Sequence, residues 1–269
     1  MIVDAHHHLW HLGGGYDWLD APALAPIRRT YTPSDLRAEL AAAGVTQTVL
    51  VEGGRCDAEE AALLFAHAAA TPEIAGVVAW DDPASPGFAA YRDLPGAEYL
   101  VGLRAQVQAE DTDYLARADV RSGLAAYGAA GLVFDLVIRP DQLPSAVRVA
   151  AACPGVRFVL DHLGKPRDFG SWRSDISDLS EMPNVYAKIS GLFTEVDDVR
   201  PYVETALERF GPARLMWGSD WPVSTLAVPY GETLERIRAL VPAPEVFAAT
   251  AREVYGLPAV QSPRRQLWH

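Results

Sequence analysis

Ile2-Val3-Asp4-Ala5-His6-His7-His8 begins with β-branched residues and ends in three histidines. It reads as a strand over Ile2–His6 whose polar residues emerge at one edge of a sheet, and the rest of the chain repeats its form. Comparable runs lie near Thr48–Glu52, Gly76–Trp80, Leu100–Arg104, Leu132–Leu136, Arg157–Asp161, Val185–Ser190 and Arg214–Gly218. Their starts are 24 to 46 residues apart, room for one helix and two loops each time. The intervening Ala/Leu/Arg/Glu segments have helical ends. Thr32-Pro33 opens one and Gly44 closes it. Asp57 with Glu60 has capping-box spacing at the start of 61–70, a helix over 115–130 stops at Gly131, and one over 199–210 stops at Gly211. Between 83 and 96, Pro83, Pro86, Gly87 and Pro95 restrict any helix. This alternation predicts an α/β fold, a single-domain (β/α)8 TIM-like barrel over residues 1–269. A doubly wound open sheet is the weaker reading, because no Gly-x-Gly-x-x-Gly follows a strand.

Composition narrows the function. The 269 residues are 49% hydrophobic and 22% charged, with a net charge of −12. Such a field repels phosphate backbones and anionic lipid, so the expected partner is a small molecule rather than nucleic acid or membrane. Cys56 and Cys153 form no Cys-x-x-Cys pair and suggest neither a disulfide framework nor a thiolate metal site. With no basic stretch leading into an apolar run at Met1-Ile2-Val3-Asp4, and no membrane-length apolar segment, a cytoplasmic location is expected. The reading is compatible with a homo-oligomer.

In a barrel, the residues ending the strands form the active face. Alternation puts His6 and His8 on one side of the first strand, able to share a divalent ion, with Asp4 below placed to orient a ring. The alternative is a hydrogen-bonded pair capping the strand. Strand six ends Leu160-Asp161-His162-Leu163-Gly164-Lys165-Pro166, where His162 can ligate metal, donate to an oxyanion or act as acid/base. Strand eight ends Trp217-Gly218-Ser219-Asp220-Trp221-Pro222, where Asp220 can take a proton from an attacking water or simply cap the next segment. The basic residues are 21 arginines against two lysines, Lys165 and Lys188, both in this zone. They are read as hands for substrate oxygens, against structural ion pairs. Arg104 is read as gripping a carboxylate or carbonyl, against an ion pair to Glu52. Trp10, Trp80 and Trp221 suit an apolar wall for a sugar ring, or the core. The loop from Leu9 to Tyr31, carrying Trp10, Tyr16 and Trp18, should cover this face. Strand four carries no lysine to bridge two metals and strand five offers Asp135 but no histidine, so at most one metal is expected. Without a Gly-x-Ser-x-Gly elbow, nucleophilic serine chemistry has no support.

Asp4-Ala5-His6-x-His8-Leu9-Trp10, Leu160 to Pro166, Lys188-Ile189-Ser190-Gly191-Leu192 and Gly218-Ser219-Asp220-Trp221-Pro222-Val223 resemble the amidohydrolase superfamily. Tyr16-Asp17-Trp18, Phe134-Asp135-Leu136 and Ala251 to Leu257 fit the same pattern, so the similarity covers nearly the whole chain. Within the superfamily these motifs are similar to the lactonase branch that contains L-fuconolactonase and 2-pyrone-4,6-dicarboxylate lactonase. The resemblance implies a distorted barrel that opens a small lactone, most simply a sugar-acid lactone such as that of L-fuconate, L-rhamnonate or D-galactonate. It brings forward His6, His8, His162 and Asp220 as the active set, with Asp220 as general base. His6, His8 and Asp220 would hold one divalent ion, zinc or manganese; the pyrone-dicarboxylate enzyme works without one, and both modes stay open here. Glu52 stands where glutamine is expected in many sugar-lactonase relatives, so it is a candidate for setting the substrate or supplying a ligand. A metal-dependent decarboxylase of the same superfamily is the alternative activity, and a sugar-acid binder without turnover is a third reading.

Overall fold

In the computed structural model, which describes residues 1–259, eight parallel strands follow one another around a barrel in chain order. They are β1 (Val3–His7), β2 (Gln47–Val51), β3 (Ile74–Trp80), β4 (Leu100–Ala105), β5 (Val133–Leu136), β6 (Phe158–Leu160), β7 (Val185–Ile189) and β8 (Leu215–Trp217). Each overlaps the run predicted from sequence. The ring closes past β8, where Asp220 N–H donates to the His6 carbonyl and His8 N–H to the Trp221 carbonyl, at 2.8 and 2.7 Å. The fold is therefore the expected (β/α)8 barrel. Residues 260–269 of the expected domain lie outside the described residues.

The helices are α1 (Pro33–Ala43), α2 (Ala58–Ala70), α3 (Ala118–Ala129), α4 (Leu143–Ala152), α5 (Phe169–Ser180), α6 (Arg200–Phe210), α7 (Tyr230–Leu240) and α8 (Ala249–Val254). Among the described residues none is long and apolar enough to cross a membrane. Thr32 and Asp35 cap α1 reciprocally, and Gly44 ends it at φ 69°. At α2 the capping-box expectation needs correction. Asp57 does accept from the Glu59 and Glu60 N–H groups, but the Glu60 side chain turns inward to accept from Gly53 N–H at 2.8 Å. α3 begins at Ala118 rather than at 115, because Arg117 is extended (ψ 143°) and separates it from a short 3-10 turn over Tyr114–Ala116. No α-helix joins β3 to β4; the proline-rich segment makes only 3-10 turns over Phe88–Asp93 and Ala97–Tyr99.

Apolar packing is divided in two. Val3, Val49, Val78, Val133, Val159 and Met216 meet inside the barrel, where Val254 and Leu257 join them. Leu50, Val77, Leu103, Phe134, Leu160 and Trp217 face the helices. This is the two-residue alternation of buried parallel strands. β1 breaks it. Its register against β2 is irregular between Asp4 and His7, so Asp4 does not lie beneath the histidine rings as alternation implies. Asp4 instead accepts from Ser219 N–H (2.8 Å), Ser219 Oγ (2.6 Å) and Tyr230 of α7 (3.0 Å), tying β1 to the chain after β8. Burial raises its pKa to about 6.

Candidate active site

At the carboxyl-terminal end of the barrel, four side chains converge. The Nε2 atoms of His6 and His8 are 3.1 Å apart, and Asp220 Oδ1 lies 3.6 Å from each. The His162 ring stands 4.7 Å from that of His6, with its Nδ1 2.9 Å from Ser190 Oγ. Unusual backbone delivers two of them. After β6, His162, Leu163, Gly164 and Lys165 all have positive φ (56°, 48°, 75° and 52°), and Lys165 N–H closes the turn on the His162 carbonyl at 2.9 Å. Each side-chain-bearing residue held this way costs roughly 1–2 kcal/mol, strain that persists where function needs the geometry. Asp220 is held likewise at φ 58°. Gly191, at φ 63°, leaves the room they occupy: a Cβ there would fall 2.7 Å from His162 Nδ1 and 2.9 Å from Asp220 Oδ2.

Hydrogen bonds set what the rings can do. His8 Nδ1 lies 3.0 Å from the Val51 carbonyl, so it carries the proton and Nε2 faces the centre as a lone pair. His6 Nδ1 stands 3.2 Å from Asp161 Oδ1 and 3.2 Å from Lys188 Nζ. Donating to Asp161 frees its Nε2 as a ligand; accepting from Lys188 puts the proton on Nε2, facing His8. The donor set fits a metal ion. A tetrahedral ion with bonds of roughly 2.0–2.1 Å spaces its ligands about 3.3–3.4 Å apart, and the three separations here are 3.1, 3.6 and 3.6 Å.

Beneath the rings lies a buried floor of charge. Lys188 Nζ is 2.5 Å from Asp135 Oδ2 and 2.9 Å from Asp161 Oδ1. Arg104 donates from Nη1 to Asp161 Oδ2 at 3.0 Å, from Nε to Glu52 Oε1 at 2.5 Å and from Nη2 to the Glu52 carbonyl at 2.7 Å. Burial would raise Asp161, but Lys188, His6 and Arg104 hold its carboxyl well below the usual range. Asp135 is raised by burial to about 6 despite Lys188. The guanidinium of Arg104, which burial alone would weaken as a base, is strengthened by Glu52 and Asp161.

Above the floor opens a cavity of 480 Å³ that holds His8, His162, Asp220, Arg104 and Lys165 in its walls. Burial would raise Asp220, but His162, His8 and His6 keep its carboxyl well below the usual range. His162 is lowered by burial to about 4, against the pull of Asp220 and Asp161, and is neutral at pH 7. Among the other predicted residues, Lys188 and Glu52 lie in the floor and do not line the cavity, and Arg104 reaches it with three of its five N–H groups engaged in the floor. Trp80 and Trp221 are not in its walls either; Trp221 packs edge-on against Tyr31. Trp10, at the start of the loop, is buried, its Nε1 donating to the Arg29 carbonyl. The aromatic wall is Trp18, from the loop over this face, anchored through Nε1 to the Gly53 carbonyl at 2.8 Å. Sequence reasoning missed Gln106, Gln108 and Glu195, which also line the cavity. The first two follow Arg104 at alternate positions, the one signal available for them.

The chain matches the amidohydrolase family model over residues 3–257. It is 34% identical to an L-fucono-1,5-lactonase of Burkholderia ambifaria, over 86% of this chain and 83% of that one. An L-fucono-1,5-lactonase of Burkholderia multivorans is 31% identical, over 96% and 97%. A crystal structure of an amidohydrolase from Burkholderia multivorans with bound Zn superposes with a TM-score of 0.89 at 31% identity, covering 96% of this chain and 100% of that one. With a barrel of this order, histidines at the end of its first strand and a family match across nearly its whole length, the chain belongs to the amidohydrolase family.

Proposed function

We propose that this protein hydrolyses a small lactone, specifically a neutral sugar-acid lactone, with Asp220 as general base. The observation that carries the reading is a carboxylate kept ionised among three histidines at the base of a cavity large enough for one sugar ring. Similarity to the two L-fucono-1,5-lactonases supports the reaction class. Charge favours the neutral substrate. In the cavity wall Arg104 is balanced by Glu52 and Asp161, leaving Lys165 to face Glu195 and Asp220. A dicarboxylate would meet about as much repulsion as attraction there.

In the proposed reaction Asp220 accepts a proton from a water, whose oxygen bonds to the lactone carbonyl carbon. In this reaction Ser190 Oγ, 2.9 Å from His162 Nδ1, takes the donor role, so that neutral His162 carries its proton on Nε2 and donates it as a hydrogen bond to the developing oxyanion. When the intermediate collapses, the ring C–O bond breaks and Asp220 returns its proton to the departing ring oxygen. Lys165 holds a substrate hydroxyl, Trp18 packs against the ring, and Arg104, Glu52 and Lys188 act from the floor by fixing Asp161 and His6. His6, His8 and Asp220 would hold a divalent ion, zinc or manganese, which when bound supplies Lewis-acid polarisation of the carbonyl.

The test is proton release, read with a pH indicator, across aldonolactones and one pyrone dicarboxylate. Turnover of one or more aldonolactones is expected, and Asp220→Asn should lower kcat by about 10²–10⁴. Silence across all lactones, together with carbon dioxide release from an aromatic carboxylate, would replace this reading with the decarboxylase. Full activity in Asp220→Asn would remove Asp220 from its role.

A further inference from the structure

One wall of the cavity is a chain of hydrogen bonds with a single direction. Glu52 Oε1 accepts from Gln106 Nε2 at 2.6 Å, Gln106 Oε1 accepts from Gln108 Nε2 at 2.9 Å, and Gln108 Oε1 accepts from Lys165 Nζ at 2.7 Å. A side-chain amide can ordinarily turn over and exchange its donor and acceptor ends. Here neither can. A carboxylate only accepts and an ammonium only donates, so the chain is fixed at both ends. Turning either amide would set carbonyl against carboxylate, NH2 against NH3⁺, or like against like between the two amides. Glu52 itself is immobile, because Arg104 Nε also donates to its Oε1 and Gly54 N–H to its Oε2.

The direction determines what the cavity presents. Each amide has one N–H committed to the chain and one left over, and Lys165 has further donors beyond Gln108. Gln106, Gln108 and Lys165 are half-buried and line the cavity, so the wall they form has these donors to offer a ligand. The opposite preference comes from Asp220 and Glu195, which offer acceptors. One wall therefore reads oxygen lone pairs while other groups receive hydroxyl protons.

We infer that Gln106 and Gln108, locked in direction by Glu52 and Lys165, are specificity-determining residues that recognise the hydroxyl oxygens of a polyhydroxylated ligand. The inference deepens the proposed lactone hydrolysis, since the ligand class is that of its substrate and product. It also gives Glu52 a definite task. Its Oε1 accepts from both Arg104 and Gln106 and so forms the acceptor end of the wall.

The experiment compares two carboxylates by titration calorimetry at pH 7.5. Galactonate carries a row of hydroxyls; 5-hydroxypentanoate carries one. Both have the same carboxylate, so the difference in Kd isolates the hydroxyl row. Wild type should bind galactonate at least about tenfold more tightly, and Gln108→Met and Gln106→Met should reduce that preference to about threefold or less. Gln108→Glu retains a partner for Lys165 but supplies no N–H, and it should lose the preference as the methionine variants do. It decides the matter should those variants fail to fold. Equal affinity of wild type for both ligands, or variants that keep the wild-type preference, would overturn the inference. Lactone turnover by wild type, measured in parallel, separates this outcome from the fate of the lactonase reading. A protein that prefers galactonate through these glutamines yet opens no lactone would retain the recognition wall and lose the proposed reaction.

Discussion

Replacing Lys188 by methionine should destabilise the fold by about 3–5 kcal/mol at pH 8, the usual cost of stripping one partner from a buried ion cluster. Lys188 has no exposed surface and sits between Asp135 and Asp161. With both cations present, the floor holds Lys188 and Arg104 against Glu52, Asp135 and Asp161, a formal charge of 2 − 3 = −1. Without Lys188 it is 1 − 3 = −2, and among the described residues Asp135 keeps only the Tyr255 hydroxyl, at 2.8 and 3.0 Å from its two oxygens. Asp135 already stands at about 6, raised by burial from 3.8. Losing Lys188 raises it further. A carboxyl whose folded-state pKa is raised contributes stability that is complete below the unfolded pKa and is lost as pH rises through the folded one. Wild type itself loses about 1.4 kcal/mol per pH unit between 3.8 and about 6, so the variant's Asp135 deficit opens only above about pH 6 and grows by about 1.4 kcal/mol per unit up to the variant's own higher value, making it larger at pH 8 than at pH 5.

The assay is chemical denaturation at pH 5 and pH 8 of wild type, Lys188→Met and Lys188→Met/Asp135→Asn. The double variant restores the formal charge to −1 and should recover at least half of the loss at pH 8. A single variant within about 1 kcal/mol of wild type at pH 8, a deficit that ignores pH, or a double variant no better than the single would refute the reasoning. Were Lys188 a hand for substrate, the substitution would raise KM and leave the denaturation curves in place.

Gly191→Ala should lower kcat by about a hundredfold, because its Cβ enters the space between His162 and Asp220; the pH-indicator assay reads this, and near-wild-type kcat would show that both side chains can yield. Ser190→Ala frees His162 Nδ1 and should reduce kcat by about tenfold with little change in KM, whereas a KM effect alone would place Ser190 in substrate binding. Metal analysis after chelation and dialysis against zinc or manganese should find about one ion per chain in wild type and far less in His8→Ala. Equal metal content in the two proteins would put the ion elsewhere.

The barrel was legible because the strands are short apolar runs, most of them β-branched, and several helices have defined ends; even the missing helix between β3 and β4 is written in Pro83, Pro86 and Pro95. The polar ends of β1, β6 and β8 were legible for a related reason. Histidines and an aspartate closing apolar strands have few structural uses, and the fold gathers His6, His8, His162 and Asp220 into one cluster. What could not be read is which charge answers which. Lys188 and Arg104 are in the right zone, but whether they face substrate or neutralise the floor depends on Asp135, Asp161 and Glu52, which reach them from neighbouring or opposing strands. Asp4 was misplaced because one irregularity in β1 changes the side it faces, and local sequence carries no mark of that shift. Gln106 and Gln108 are neutral and common, and their meaning comes from being held between a carboxylate and an ammonium. Strand-end composition thus marks which polar residues the fold gathers at one face, while the division between groups that open onto the cavity and groups that neutralise its floor is a property of the closed barrel. That division explains why Lys188 and Lys165, the two lysines of the chain, invite opposite experiments: stability against pH for the first, ligand preference for the second.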